Sequence, residues 1–400
     1  MSNSVLLARQ PIFDGKCDLY AHELLYRSDV PSSCSGVSKP STRELLVNAC
    51  TTLLSSNMNL GLPMFVNVDE EFLLADDFFP IAPQNVTFEI LEDVEPTDQV
   101  LTRVRDFKRQ GFKFALDDYI LEPSKEAYFT YLSVIKIDVL NVDFKSLNKA
   151  LPGLKQTGCL LLAEKVEDQA MFAKCIELGF DLFQGYFLER PSNVKGKKIG
   201  ANQYAVLHLL SELSRDDIEV EEVAELISRD VGLVLKILGL INCPLYQLVR
   251  EVTSVKDAVI ILGLATVKQW AIILSLVSVS AAPAELFRSI LIRAKTLSLY
   301  SKGRPFEPSS CFLLGLLSGI EAIFEIEMEL ILEHLRLDES IKIALLYKTN
   351  DLGELLNFSI GMERLDNEIL QSFDKNEVSA LNQCYQEALQ WADEVMNYLD

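Results

Sequence analysis

Hydrophobic positions in the first half of the chain fall into short runs that each close on a polar residue. Residues 17–25 (CDLYAHELL) deliver Glu23, 63–68 (PMFVNV) deliver Asn67, and 85–92 (NVTFEILE) deliver Glu89 and Glu92. Residues 111–120 (GFKFALDDYI) end on Asp117 and Asp118, 132–137 (LSVIKI) deliver Lys136, 159–164 (CLLLAE) deliver Glu164, and 181–186 (DLFQGY) deliver Gln184. Between them lie stretches of helical period, such as 98–110, where Val100, Leu101, Val104 and Phe107 share a face. Strand alternating with helix predicts repeated βα units around a mostly parallel sheet. An α/β barrel places its chemistry at the strand ends, where these polar residues stand.

The pattern changes near 191–200 (PSNVKGKKIG), rich in Pro, Gly, Ser and Lys, and a linker is expected there. Beyond it the strand endings disappear and the period is helical throughout. Tyr204, Leu207, Leu210 and Leu213 share a face, 231–241 is a dense apolar helix, and Ser254 with Asp257 reads as a capping box for a helix over 255–262. Gly263 would stop that helix and Thr266 would cap the long one that follows. Further helices are expected over 285–302, 309–324, 327–335 and 341–347, and a final one over 381–399 with Leu381, Ala388, Trp391 and Val395 near one face. The fold class expected is α/β plus all-α, a TIM-like (β/α) barrel followed by a helical bundle. The barrel is placed at 1–192, the linker at 193–202, and the helical domain with its acidic helical tail at 203–400.

Adjacent aspartates are ordinarily a solvated turn. Here Glu23, Asn67, Glu89, Asp117 and Asp118 together form a set of hard oxygen donors that suits Mg2+ or Mn2+ rather than zinc. His22, His208 and His334 show no metal-ligand spacing. Two divalent ions in such a set would polarise a phosphodiester and generate a hydroxide near neutral pH. Lys136 could neutralise charge developing on the phosphorane, and Glu164 could take a proton from the attacking water.

Charge narrows the partners. A net charge of −21 argues against non-specific nucleic-acid binding, which needs a basic face. Residues 51–100 carry ten acids and no Lys or Arg, most of them a solvated face. The basic run 103–113 reads first as an ordinary helix surface and only second as a candidate for an anionic ligand. Eight cysteines, at 17, 34, 50, 159, 175, 243, 311 and 384, include no CxxC pair, which suits reduced thiols in a cytoplasmic protein. The longest apolar run, 270–284, falls short of the ~18–20 residues that cross a bilayer. No membrane partner is expected.

Seven motifs in order give the first half a resemblance to the EAL-domain family of cyclic di-GMP phosphodiesterases. They are ARQPIFD at 8–14, HELLYR at 22–27, FEILE at 88–92, LDD at 116–118, IKID at 135–138, AEKVE at 163–167 and FQGY at 183–186. The resemblance implies metal-ligand roles for Glu23, Asn67, Glu89 and Asp117, with Asp118 reaching a second metal. Lys136, Glu164 and Gln184 would activate water or contact that second metal. Gln10 and Arg27 would touch the dinucleotide, and Glu92 would anchor the loop after the aspartate pair. That loop, here Tyr119-Ile120-Leu121-Glu122-Pro123-Ser124-Lys125, lacks the glycines of the family's FGTGYSS and carries a stiffening proline.

Residues 203–349 resemble the HDOD family, through SRDVGLVLKILGLINCPLY, VTSVKDAVIILGLATVKQWAIIL and CFLLGLLSGIEAI. Ser318 and Gly319 stand where a working HD phosphohydrolase would carry histidine and aspartate, so no HD chemistry is expected. Three functions fit the sequence: a Mg2+- or Mn2+-dependent phosphodiesterase opening cyclic di-GMP to its linear dinucleotide, a sensor that binds it without efficient cleavage, and a scaffold. The helical half would regulate the barrel or recruit a protein partner, and a homodimer is compatible with each.

Overall fold

A computed structural model describes residues 5–28, 62–75, 82–189, 198–215, 217–242, 251–280 and 282–399. Residues 193–197 of the linker expected at 193–202 lie outside the described residues, as do Cys34, Cys50 and Cys243, and a helix already begins at Ala201. The five described cysteines are free thiols.

Eight strands close into a barrel in sequence order: β1 (Val5–Asp14), β2 (Leu19–Ser28), β3 (Met64–Val68), β4 (Val86–Ile90), β5 (Lys113–Leu116), β6 (Val134–Asp138), β7 (Leu160–Glu164) and β8 (Leu182–Gln184). Seven correspond to the apolar runs of the sequence. The eighth, β1, covers the ARQPIFD motif and pairs antiparallel with both β2 and β8, whereas the remaining neighbours are parallel. The barrel therefore opens on a hairpin instead of a βα unit.

Its interior is set by the two-residue period of a strand. Ile12, Ala21, Phe65, Ala115, Val134, Leu162 and Leu182 form one buried apolar layer. Two residues further along the same face stand Glu23, Asn67, Asp117, Lys136, Glu164 and Gln184, and two residues before Ile12 on the reversed strand stands Gln10. Seven of the eight strands thus carry an apolar plug and, one pleat above it, a polar side chain; β4 carries the buried Thr87 below Glu89. The plug keeps the polar layer from water on one side and fixes which residues can meet.

The helices obey their local signals. Thr97 accepts from the Val100 N–H at 3.3 Å at the start of Asp98–Arg109, and its buried Val100, Val104 and Phe107 confirm the face read from the sequence. Ser254 caps Val255–Leu262 by accepting from the Asp257 N–H at 3.0 Å. The long helix starts at Leu264 directly after Gly263, so Thr266 lies inside it and is not its cap. It ends at Val279, and Ala284–Ser301 follows as a separate helix. No helix among the described residues is long and apolar enough to cross a membrane.

The chain divides into two compact units, Met1–Ser192 with Phe358–Asp393, and Asn193–Asn357 with Glu394–Asp400. This departs from the expected single helical domain over 203–400. The reason lies on the last helix, Lys375–Leu399, where Leu381, Tyr385, Ala388, Leu389 and Ala392 form a buried stripe. Asn382 beside that stripe accepts from the buried Leu7 N–H of β1 at 3.1 Å, and Asp393 pairs with Arg9 at 3.2 Å.

Candidate functional site in the barrel mouth

Lys136 sits one pleat above Val134 and is almost wholly buried. Its ammonium lies 2.8 Å from Asp117 Oδ1, 2.9 Å from Glu89 Oε1, 2.9 Å from Glu164 Oε1 and 3.2 Å from Glu23 Oε2. Four strands thereby converge on one cation. Glu23 also accepts from Asn67 Nδ2 at 3.0 Å and Gln184 Nε2 at 2.6 Å, and Gln184 donates to Gln10 Oε1 at 3.0 Å. Eight of the eleven side chains singled out in the sequence, Gln10, Glu23, Asn67, Glu89, Asp117, Lys136, Glu164 and Gln184, thus form one connected cluster.

One positive charge does not balance four carboxylates. Burial, and the neighbouring Glu23 carboxylate, push Glu89 well above the ordinary carboxylate range, and burial likewise raises Asp117. Burial lifts Glu164 to about 8 against the attraction of Lys136. Glu23 runs the other way: burial opposes its charge, but Lys136 and the amides of Gln184 and Asn67 outweigh it and hold it low. Burial would depress Lys136, yet the four acids raise it well above an ordinary lysine.

Three expected residues fall elsewhere. Asp118 adopts a left-handed backbone (φ 41°) and lies 3.5 Å from Lys165 Nζ, away from the Lys136 ammonium. Glu92 is exposed and borders a cavity of about 230 Å3 shared with Asp117, Asp118, Tyr119 and Asp138. Arg27 continues β2, and its side chain lies outside the described residues.

The segment after the aspartate pair is fastened by a residue that sequence reasoning passed over. Lys125, in the 3-10 turn Pro123–Tyr128, is buried and donates to Val94 O at 2.9 Å and Glu95 Oε1 at 2.8 Å. Tyr128 donates to the same Val94 carbonyl at 3.3 Å. Asp138 and Lys165 were also missed. Asp138 accepts from the Leu140 N–H at 2.8 Å, from Asn141 Nδ2 at 2.7 Å and from Lys165. Asp138 stands one pleat beyond Lys136 in IKID, a signal that the two-residue period supplies.

Among the described residues, Gly185 is the glycine that the mouth requires. At φ 147° it lets the chain leave Gln184 against Val166, whose carbonyl oxygen a Cβ would approach to 2.2 Å.

A cation fits the donor chemistry. Buried oxygens without a hydrogen-bond partner concentrate here: Asn67 Oδ1, Glu89 Oε2, Glu164 Oε2 and Gln184 Oε1. Such acceptors cost free energy until a cation or donor reaches them. Among the described residues no three His, Cys, Asp or Glu side chains stand at metal-ligand spacing, because the acids are drawn around the Lys136 ammonium.

In the second unit, Ser318 accepts from Arg293 Nη1 at 3.0 Å and donates to Gly315 O at 2.7 Å. A Cβ at Gly319 would come within 2.3 Å of Ile290. Ile290 leaves no room for a side chain at Gly319.

A closed barrel with an acidic, lysine-centred mouth, joined to a helical unit, defines a two-domain α/β plus all-α protein. The EAL domain family matches residues 54–191 and the HDOD domain family residues 202–323. YuxH of Bacillus subtilis, described as an uncharacterized protein, is 31% identical over 98% of this chain and 99% of its own length. The chain therefore belongs to the EAL–HDOD family. The cyclic di-GMP phosphodiesterase CdgJ of Vibrio cholerae is 26% identical over 90% of this chain and 85% of its own. Among solved structures, a standalone EAL protein from Vibrio cholerae in its c-di-GMP-bound form is 20% identical, with a TM-score of 0.37 over 46% of this chain and 91% of its own.

Proposed function

We propose that the barrel hydrolyses cyclic di-GMP to its linear dinucleotide with the help of Mg2+ or Mn2+, in a cytoplasmic signalling protein whose helical half regulates it or recruits a protein partner. The observation that carries this reading is the convergence of Glu23, Glu89, Asp117 and Glu164 within 3.2 Å of Lys136. Membership of the EAL–HDOD family and the activity named for CdgJ support it.

Glu23, Asn67, Glu89 and Asp117 would hold the metal, with Asp118 toward a second. Divalent ions bound there would supply Lewis acidity to a phosphodiester and lower the pKa of water. The chain's own groups do the rest. Burial raises Glu164 to about 8, so it is mostly protonated near neutral pH, and the charge of bound divalent ions would favour the carboxylate that takes a proton from the attacking water. The Lys136 ammonium offers its charge to the phosphorane oxygens. Gln10 and Gln184 present amides beside Glu23 to orient the dinucleotide, and Arg27 would add a fork suited to phosphate.

A second reading has its own support. The 119–128 segment is fastened by Lys125 and stiffened by Pro123, and a lid set in advance favours binding without rapid turnover. One assay separates the two: cyclic di-GMP incubated with the protein and Mn2+ or Mg2+, following bound and cleaved nucleotide. Cleavage in the native chain and its loss in Glu23→Ala is the expected result. Tight binding without product would make the barrel a sensor, and neither binding nor product would leave a scaffold.

A further inference from the structure

Lys165 adds a positive charge to the barrel mouth, and its backbone is out of the ordinary. It is the middle residue of AEKVE, directly after Glu164 at the end of β7, and it adopts φ 56°. Asp118, which follows β5, adopts φ 41°. The left-handed region disfavours both residues, lysine more than aspartate, and persists where the surrounding contacts impose it.

Asp138 supplies the contact that holds Lys165. It is buried at the end of β6, where its carboxylate accepts from the N–H groups of Leu140 at 2.8 Å and Asn141 at 3.2 Å and from Asn141 Nδ2 at 2.7 Å. It also accepts from Lys165 Nζ, which anchors one end of a half-exposed side chain. The same ammonium faces Asp118 Oδ1 at 3.5 Å, a buried oxygen without a hydrogen bond among the described residues. Asp117 lies 2.8 Å from Lys136, so each member of the aspartate pair is matched to its own lysine.

We propose that Lys165 is a tethered cation standing in for a second divalent ion at Asp118, so that the mouth holds one ion tightly and another only weakly. The inference rests on the reading that Glu23, Asn67, Glu89 and Asp117 hold a divalent ion. A second ion would share the Asp118 carboxylate with the Lys165 ammonium, and positive charges gathered on one carboxylate repel each other. Solvent at the half-exposed lysine screens part of that repulsion, which leaves a weakening of about tenfold or more.

The test counts Mn2+ on the full chain without nucleotide, in about 0.15 M salt to screen the surface acids. Paramagnetic resonance reads the free ion, and exchange coupling marks two ions that share ligands. The native chain should hold one ion tightly. Lys165→Met should hold two, coupled, with the second bound about tenfold or more tighter than in the native chain. Lys165→Gly, which suits the left-handed backbone, should match it and decides alone should the Met variant fail to fold. Lys165→Arg keeps the charge and should keep the native count, whereas adding Asp118→Asn to Lys165→Met should remove the second ion. Lys149→Met, at an exposed position of Phe144–Gln156, should change neither affinity. Two tight ions on the native chain, no gain in Lys165→Met and Lys165→Gly, a second ion that survives Asp118→Asn, or the same gain in Lys149→Met would each overturn the proposal while the first ion stands. No tight ion on the native chain or on any variant would overturn the metal reading of the barrel itself, and this proposal with it.

Discussion

Lys136 brings one positive charge to a place where four carboxylates meet, and the resulting imbalance sets how the mouth responds to pH. A carboxyl whose folded pKa exceeds its unfolded value binds an extra proton in the native state. Its contribution to stability is then present below the unfolded value and lost as pH rises through the folded one. Glu164, at about 8 against an ordinary 4.5, acts in that window, and Glu89 and Asp117 shift in the same direction. Glu23, held low, acts in the opposite sense and only as pH falls below about 4.5. In chelator the melting temperature should therefore fall between about pH 5 and about pH 8. Glu164→Gln should flatten part of that fall, and Mn2+ should restore stability most strongly at the upper end. A Glu164→Gln curve parallel to the native one would sink this account, since general surface repulsion would then explain the slope. Gly185 shows the same economy at another residue, because any side chain there would push Gln184 away from Glu23.

The loop after Asp118 is governed by elements further along the chain. Lys125 reaches the turn between β4 and Asp98–Arg109, where its bond to the Val94 carbonyl is buried while its Glu95 partner is largely exposed. The exposed pairing contributes little. The buried hydrogen bond is the part that matters, and Lys125→Met should cost about 1–3 kcal/mol. Hydrogen exchange should rise across 119–128 and stay unchanged in β6 and β7; protection that persists in the loop would assign its rigidity to Pro123 and Tyr128 instead. Much of this level was legible in the sequence. Seven strands announced themselves by closing on polar residues, and Ser254, Val100 and Phe107 behaved as their spacing implied. β1 escaped because its partners are antiparallel and its motif interrupts the alternation with Pro11. Lys125 escaped because a lysine in a loop reads as solvated, and its burial depends on a carbonyl more than thirty residues away.

At the scale of the molecule, the tail was the part that the sequence could not place. The stripe of Leu381, Ala388 and Val395 announced a helix with one buried face, but amphipathicity names no partner. The partner is set by contacts spanning more than 350 residues of sequence: Leu7 N–H to Asn382, and Arg9 to Asp393. A second tie joins Arg364 to Glu189 at 2.9 Å and lays its guanidinium over Tyr186 at 3.8 Å, just beyond Gln184 and Gly185. These contacts hold the two strands that deliver Gln10 and Gln184, so the barrel unit is incomplete without 358–393. A fragment of residues 1–192 should consequently aggregate or melt well below the full chain, and a fusion that restores 358–393 should recover it. Within the full chain, Asn382→Ala leaves a buried N–H without its acceptor and should cost about 1–3 kcal/mol. A fragment of 1–192 that is soluble and melts with the barrel of the full chain would mean that β1 holds its place unaided, and that the tail covers the barrel without supporting its mouth.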